Sequence, residues 1–425
     1  MGKTLLVAVL LIAAGLFFVI HQPALPPLEA SESAPADPAL IERGRVLAGI
    51  GNCATCHTAD GGKSYAGGRA FPTGFGTLYA ANITPDRELG IGSWSREAFI
   101  RAMHKGIDRD GSYLFPAFPY THFKNVTNDD LDALYAYLMS LKPVAYQPPE
   151  NGLRFPFKLR SLQWGWQLLF FDSKPLQPDP GQSDTWNRGA YLAEGLGHCT
   201  ACHSPRNAFG AEKKDRAYAG ALVDNWYAPA LNAQQPVPIH WTEQTLYDYL
   251  RSGQSPYQGV AAGSMSEVVH KGLKQASDKD IRAMAVYLAS LGNDDAQQND
   301  AAALAASTID GAQQRTANDR SHGENLYIGA CTGCHYNAAD KPIALRAELS
   351  LNSAVTADDP TNLLRVLLQG IAADQGTPGF VMPEFATLSD DDIVSLADFL
   401  RRRAAREPWP DLHKRLTDLR KDLQK

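Results

Sequence analysis

The sequence predicts an all-α protein made of three small helical domains in tandem behind an N-terminal apolar helix. Three observations predict it. At about 150 residues per domain, 425 residues make roughly three. The pattern C-x-x-C-H occurs three times, beginning at Cys53, Cys199 and Cys331, each a domain's length from the next. Downstream of each pattern an apolar stripe at helical spacing opens on a capping signal: Thr127-Asn-Asp-Asp130, Ser277-Asp-Lys-Asp280 and Ser389-Asp-Asp-Asp392. A hydrophobic content of 44% with 20% charged residues is that of an ordinary globular chain, and a net charge of −6 without basic clusters excludes a nucleic-acid partner.

At the N-terminus Lys3 precedes an unbroken apolar run from Leu5 to Ile20, followed by Pro23, Pro26 and Pro27. Sixteen residues cover about 24 Å as a helix, near the lower limit for crossing a membrane. The stretch His21 to Glu29 offers no good small-x-small cleavage site, so residues 1–36 read as a retained anchor and tether in preference to a cleaved signal. With Lys3 kept inside, the remainder is expected on the outer, periplasmic face of the inner membrane.

In an oxidising compartment six cysteines would ordinarily make three disulfides, but here none falls outside the three patterns Cys53-Ala-Thr-Cys56-His57, Cys199-Thr-Ala-Cys202-His203 and Cys331-Thr-Gly-Cys334-His335. This is the attachment pattern of c-type haem. Two thiols add across the two vinyl groups, and the adjacent histidine is delivered to the iron. The expectation is three covalently attached haem c groups in three cytochrome c domains, at 37–142, 185–291 and 322–403. Each begins with a short helix (Ile41 to Leu47, Trp186 to Leu192, Glu324 to Ile328) and ends with the capped one. The segment 143–184, rich in Pro and carrying Phe155, Phe157, Trp164, Trp166, Phe170 and Phe171, reads as a strap packed between haem domains, with contact to a membrane or partner as the sharper alternative. Residues 292–321 read as a mobile polar linker. In 404–425, Leu412, Leu416, Leu419 and Leu423 mark a helix that packs on the third domain or docks a partner.

Six-coordinate electron carriers need a second ligand opposite the histidine, often a methionine sulfur. Met265 and Met382 stand in loops before the C-terminal helices and are the expected ligands in the second and third domains, whereas Met103, Met139 and Met284 sit at core positions. In the first domain the equivalent place is Phe118, and His122, four residues on, is the expected ligand, with His104 as runner-up. The alternative is an open haem that binds a small molecule. Asn82, Asn232 and Asn352, with Trp94 and Trp241, lie where haem propionates need donors, or serve as ordinary loop and helix caps. His198 reads as an exposed neighbour. No nucleophile elbow, phosphate loop, dinucleotide fingerprint or zinc signature is present.

These motifs, with Ala80-Ala-Asn-Ile-Thr-Pro85, Tyr113-Leu-Phe-Pro-Ala-Phe-Pro-Tyr120, Leu134-Tyr-Ala-Tyr-Leu138 and Trp226-Tyr-Ala-Pro229, resemble the three-haem cytochrome c subunits of membrane-bound bacterial dehydrogenases over residues 37 to 402. The resemblance implies a partner catalytic subunit of molybdenum, quinone-cofactor or flavin type, and ubiquinone or a terminal oxidase as acceptor. Alcohol and sugar dehydrogenase members usually carry Met where Phe118 stands; the Phe followed by His122 is more similar to members paired with molybdenum hydroxylases for aldehydes or N-heterocycles. Two other functions fit the residues: a haem enzyme with an open first haem, acting as peroxidase or small-molecule reductase, and a free-standing respiratory cytochrome.

Overall fold

Asp37 accepts from the Ala39 N–H, and proline takes the first helical position, where no N–H is needed; from this cap α1 runs over Pro38–Ile50. The computed structural model describes residues 21–29, 37–292, 295–335, 348–373, 375 and 381–423. The expected anchor, Leu5 to Ile20, lies outside the described residues, and among those described no helix is long and apolar enough to cross a membrane.

The chain divides into two compact units. The first, residues up to Pro178 with Glu194–His198, continues from α1 through α2 (Cys53–Cys56), a hairpin of β1 (Ala70–Thr73) and β2 (Gly76–Tyr79), α3 (Arg96–Lys105), α4 (Tyr120–Phe123) and α5 (Asn128–Ser140). The strap adds β3 (Gly152–Leu153), antiparallel to β2 with Leu153 opposite Gly76, and then α6 (Leu162–Phe170). Its aromatics pack on the first domain: Trp166 and Phe171 stand edge-on to the buried Tyr120, and Phe157 lies 4.7 Å from Phe75.

The second unit, Asp179–Ala193 with Cys199–Lys425, holds α7 (Asp184–Glu194), whose last residue Glu194 is grouped with the first unit, then α8 (Cys199–His203), a hairpin of β4 (Ala221–Val223) and β5 (Trp226–Ala228), α9 (Glu243–Ser252), a hairpin of β6 (Gln254–Ser255) and β7 (Gly259–Val260), α10 (Gly263–Glu267) and α11 (Asp278–Ser290). After α12 (Asp295–Asn318) come α13 (His322–Ala330), α14 (Thr332–His335), α15 (Ser353–Thr356), α16 (Thr361–Gln369), α17 (Asp390–Arg403) and α18 (Leu412–Leu423). The hairpins amend the all-α expectation: strands of two to four residues are too short for an alternating pattern to register.

One construction recurs three times. α1 crosses α5, α7 crosses α11 and α13 crosses α17. A Cβ added at Gly44 would lie 1.9 Å from the Ala133 carbonyl oxygen, at Gly189 1.9 Å from that of Ala283, and at Gly323 2.1 Å from that of Ser395. Only glycine permits so close an approach. Beside each glycine a side-chain pair ties the helices: the ion pairs Arg43 to Asp130 at 2.5 Å and Arg188 to Asp280 at 2.8 Å, and the hydrogen bond between His322 and Asp392 at 2.6 Å. The Thr127, Ser277 and Ser389 side chains cap the second helix of each pair, as the sequence predicts.

The expected mobile linker is instead the helix α12. Ala305, Ile309 and Ala312 are buried at helical spacing, and the first two join Ile239 and Leu351 in one apolar cluster. Three small apolar positions in a polar stretch make too thin a stripe to show in the sequence. Of the two readings for the C-terminal helix, packing holds: Leu412 and Leu416 of α18 are buried in the core formed by α13, α16 and α17, with Leu419 and Leu423 against it.

Candidate haem sites

α2 is one turn long and starts from Asn52, held in the left-handed conformation (φ 50°) with its side chain accepting from the Thr55 hydroxyl. That turn sets Cys53 and Cys56 one helical turn apart on one face, with His57 directly after. No disulfide joins the two cysteines of any of the three patterns. Burial pushes the Cys53 thiol up to about 12 and Cys331 to about 11, the neighbouring cysteine adding to both.

The histidines are held more specifically. His57 Nδ1 lies 2.7 Å from the Ala81 carbonyl oxygen, just after β2, and His203 Nδ1 2.8 Å from that of Pro229, just after β5. A carbonyl only accepts, so each Nδ1 carries the proton and each Nε2 keeps its lone pair. Burial holds both imidazoles below the usual histidine range, opposed by these hydrogen bonds, which keeps them neutral. A neutral imidazole with Nε2 left as donor, set beside two thiols, is the ligand set that covalent haem requires, so these residues fit the group. In the third pattern Tyr327 donates its hydroxyl to the His335 carbonyl at 3.3 Å.

Two residues absent from the expectations belong here. Arg69 donates to the Thr55 carbonyl at 2.9 Å and Arg206 to that of Ala201 at 2.8 Å, the same position within each C-x-x-C turn. Arg69 follows its pattern by twelve residues and Arg206 by three, so no spacing rule exposes them.

α3, α9 and α16 end on Gly106, Gly253 and Gly370 with φ of 62°, 78° and 67°. The chain then folds back: Ile107 bridges Tyr113, Gln254 pairs with Val260 and Ile371 bridges Met382. Five residues past Tyr113 is Phe118; five past Val260 is Met265, on α10. Phe118 thus occupies in the first domain the place of Met265 in the second, while Met382 enters at the bridge itself. His122 is buried within α4, its ring centroid 6.5 Å from that of His198. His104 Nε2 is hydrogen-bonded to the Val126 carbonyl at 2.8 Å, which ties that ring nitrogen to the main chain.

Trp94 and Trp241 immediately precede the caps Ser95 and Thr242, and neither indole N–H is hydrogen-bonded to a described residue. Asn82 is different. Its Nδ2 donates to the Val144 and Tyr146 carbonyls at 2.8 and 3.0 Å, and its Oδ1 accepts from the Thr84 N–H and hydroxyl. Both N–H donors are committed to the start of the strap, so the expectation that Asn82 serves a propionate is replaced by loop anchoring. Asn232 and Asn352 likewise cap their own loops.

The family described as Cytochrome c matches residues 41–142, and that described as Cytochrome C oxidase, cbb3-type, subunit III matches residues 318–400. The chain is 35% identical over 397 residues to the alcohol dehydrogenase (quinone) cytochrome c subunit of Gluconobacter oxydans, covering 88% of this chain and 80% of that protein. It is 35% identical over 387 residues to the gluconate 2-dehydrogenase cytochrome c subunit of Pantoea cypripedii, covering 86% of each. The chain belongs to the dehydrogenase cytochrome c subunit family. It is also 48% identical over 403 residues to a nicotinate dehydrogenase subunit of Pseudomonas putida, of which it spans 33% while 94% of this chain is covered. As a cytochrome c subunit the chain binds covalent c-type haem and transfers electrons within a dehydrogenase complex. Cys53, Cys56 and His57, with Cys199, Cys202 and His203, are the cytochrome residues whose local structure is closest to what that attachment needs.

Proposed function

We propose that this chain relays single electrons through three covalent haems from a partner dehydrogenase to ubiquinone or a terminal oxidase, at the periplasmic face of the inner membrane. The observation that carries it is the repeated histidine anchor: a neutral imidazole with Nδ1 tied to a main-chain carbonyl, directly after the two cysteines of its pattern. Haem bound there supplies a one-electron ferric/ferrous couple. Cys53, Cys56, Cys199, Cys202, Cys331 and Cys334 would hold the three groups, with His57, His203, His335, Met265, Met382 and His122 as the side chains that would ligate their irons. Trp94 and Trp241 offer indole N–H donors to propionates. Phe118 and His122 in place of a methionine, with the similarity to the nicotinate dehydrogenase protein, favour a molybdenum hydroxylase for aldehydes or N-heterocycles as partner over quinone-cofactor or flavin types.

The test is to solubilise native membranes, purify the chain with what remains bound, and identify cofactors and subunits. Three haems per chain with a molybdenum partner is the expected result; a quinone-cofactor or flavin partner reassigns that role. Recovery of the chain alone overturns the complex. Phe118 at the Met265 position also favours a second reading, an open first haem that reduces a small molecule. A high-spin oxidised spectrum with rapid peroxide turnover supports it, and an entirely low-spin spectrum removes it.

A further inference from the structure

Phe155, Leu168 and Leu169 are 74%, 70% and 72% exposed, and Leu159 and Leu162 stand open beside them, all in the strap. α6 has two apolar sides. Trp166 turns onto Tyr120, while Leu162, Leu168 and Leu169 remain exposed and an added Cβ at Gly165 meets nothing within 4 Å. From Asn151 to Phe171 the chain carries Arg154, Lys158 and Arg160 and no acidic residue, in a protein of net charge −6; Glu150 and Asp172 bound the segment. Arg160 is paired with Asp108 at 3.0 Å, whereas Arg154 and Lys158 are exposed and make no ion pair among the described residues. Arg160 of the strap donates to the Tyr113 carbonyl at 3.5 Å, and Gln22, near the start of the described chain, donates to the hydroxyl of the same tyrosine at 3.3 Å.

We propose that the strap from Arg154 to Leu169 is a membrane-docking element that seats its leucines and Phe155 among acyl chains while Arg154 and Lys158 meet anionic headgroups. The inference rests on the membrane location proposed above. Apolar side chains flanked by cations and by tryptophans such as Trp164 suit a headgroup boundary, and a second attachment point converts a tethered domain into an oriented one. The cation excess selects anionic lipid as the occupant, against the charge of the chain as a whole.

The test uses the full-length haem-loaded chain in vesicles of phosphatidylethanolamine and phosphatidylglycerol. With six cysteines bound to haem, Leu169→Cys presents the one thiol for a spin label, and Leu222→Cys, at an exposed site in the second unit, is the control. The label at 169 is expected to lose contact with a water-soluble nickel relaxant by about tenfold relative to the control, and to gain contact with oxygen. Adding Arg154→Glu and Lys158→Glu is expected to lift it from these vesicles. If the chain does not float with vesicles at all, the membrane location itself fails. If it floats and the label at 169 stays as wet as the control, the location stands and the docking role of the strap is overturned, leaving that face to a protein partner.

Discussion

A histidine has two nitrogens, and the fold decides which is left for iron. At His57 and His203 the choice is made by the carbonyls of Ala81 and Pro229, at the ends of β2 and β5. The cysteines and histidines are legible because their spacing is dictated by the chemistry of attachment. The carbonyls are not, since a main-chain acceptor leaves no mark in a sequence, and Asn82 misleads because the same amide serves a loop as well as a ligand. His122 is the residue whose role is most sharply testable. His122→Ala is expected to turn one haem of three from low to high spin, read by electron paramagnetic resonance, while Phe118→Met in that background restores a low-spin signal. An unchanged spectrum in His122→Ala takes this residue out of the ligand set.

At the scale of elements, helix crossings rather than helices set the domain. Gly323→Ala would drive a methyl into the Ser395 carbonyl, and overpacking of this kind costs about 3 kcal/mol. Gly329→Ala on the same helix meets nothing within 4 Å and is expected to stabilise by up to about 1 kcal/mol through helix propensity. Denaturant midpoints that move the two variants alike would refute the crossing. The hydrogen bond beside that crossing has its own pH signature. Asp392 lies below the usual carboxylate value of 3.8, chiefly through the hydrogen bond from His322 and then that from the Ser389 hydroxyl. Its stabilisation is present above that ordinary value and is lost as pH falls through the lowered one. Asp392→Asn therefore lowers the unfolding midpoint at neutral pH, and the gap to the parent closes in acid, below the ordinary carboxylate value; a gap independent of pH would assign the effect to the cap alone. The capped helices are legible from Ser or Thr followed by Asp, whereas crossing glycines look like any other glycine until two helices are superposed.

On the scale of the whole molecule, three patterns announce three repeats, yet the second and third fall within one compact unit. Beside the apolar cluster of Ile239, Ala305, Ile309 and Leu351, a polar junction joins them. The Tyr227 N–H donates to Asn362 Oδ1 at 2.9 Å and Asn362 Nδ2 returns to the Tyr227 carbonyl at 2.8 Å, one residue from Trp226, whose ring lies 5.1 Å from the Arg365 guanidinium. No periodicity predicts such a junction, because its partners are 135 residues apart. Asn362→Ala removes both bonds, at about 1 to 2 kcal/mol, and is expected to split calorimetric unfolding of this unit into two steps; a single step unchanged in width would place the coupling elsewhere.

α12 also spans this junction, and its burial gives the connection a phase as well as a length. Because a helix turns about 100° per residue, removing two residues ahead of Ala305 would rotate that residue and Ile309 by about 200° relative to the chain before them, toward solvent. Removing a full turn would keep the face and only shorten the reach. Among descendants of this gene, deletions in this stretch of α12 are therefore tolerated by whole turns, as in a gear that meshes only tooth to tooth.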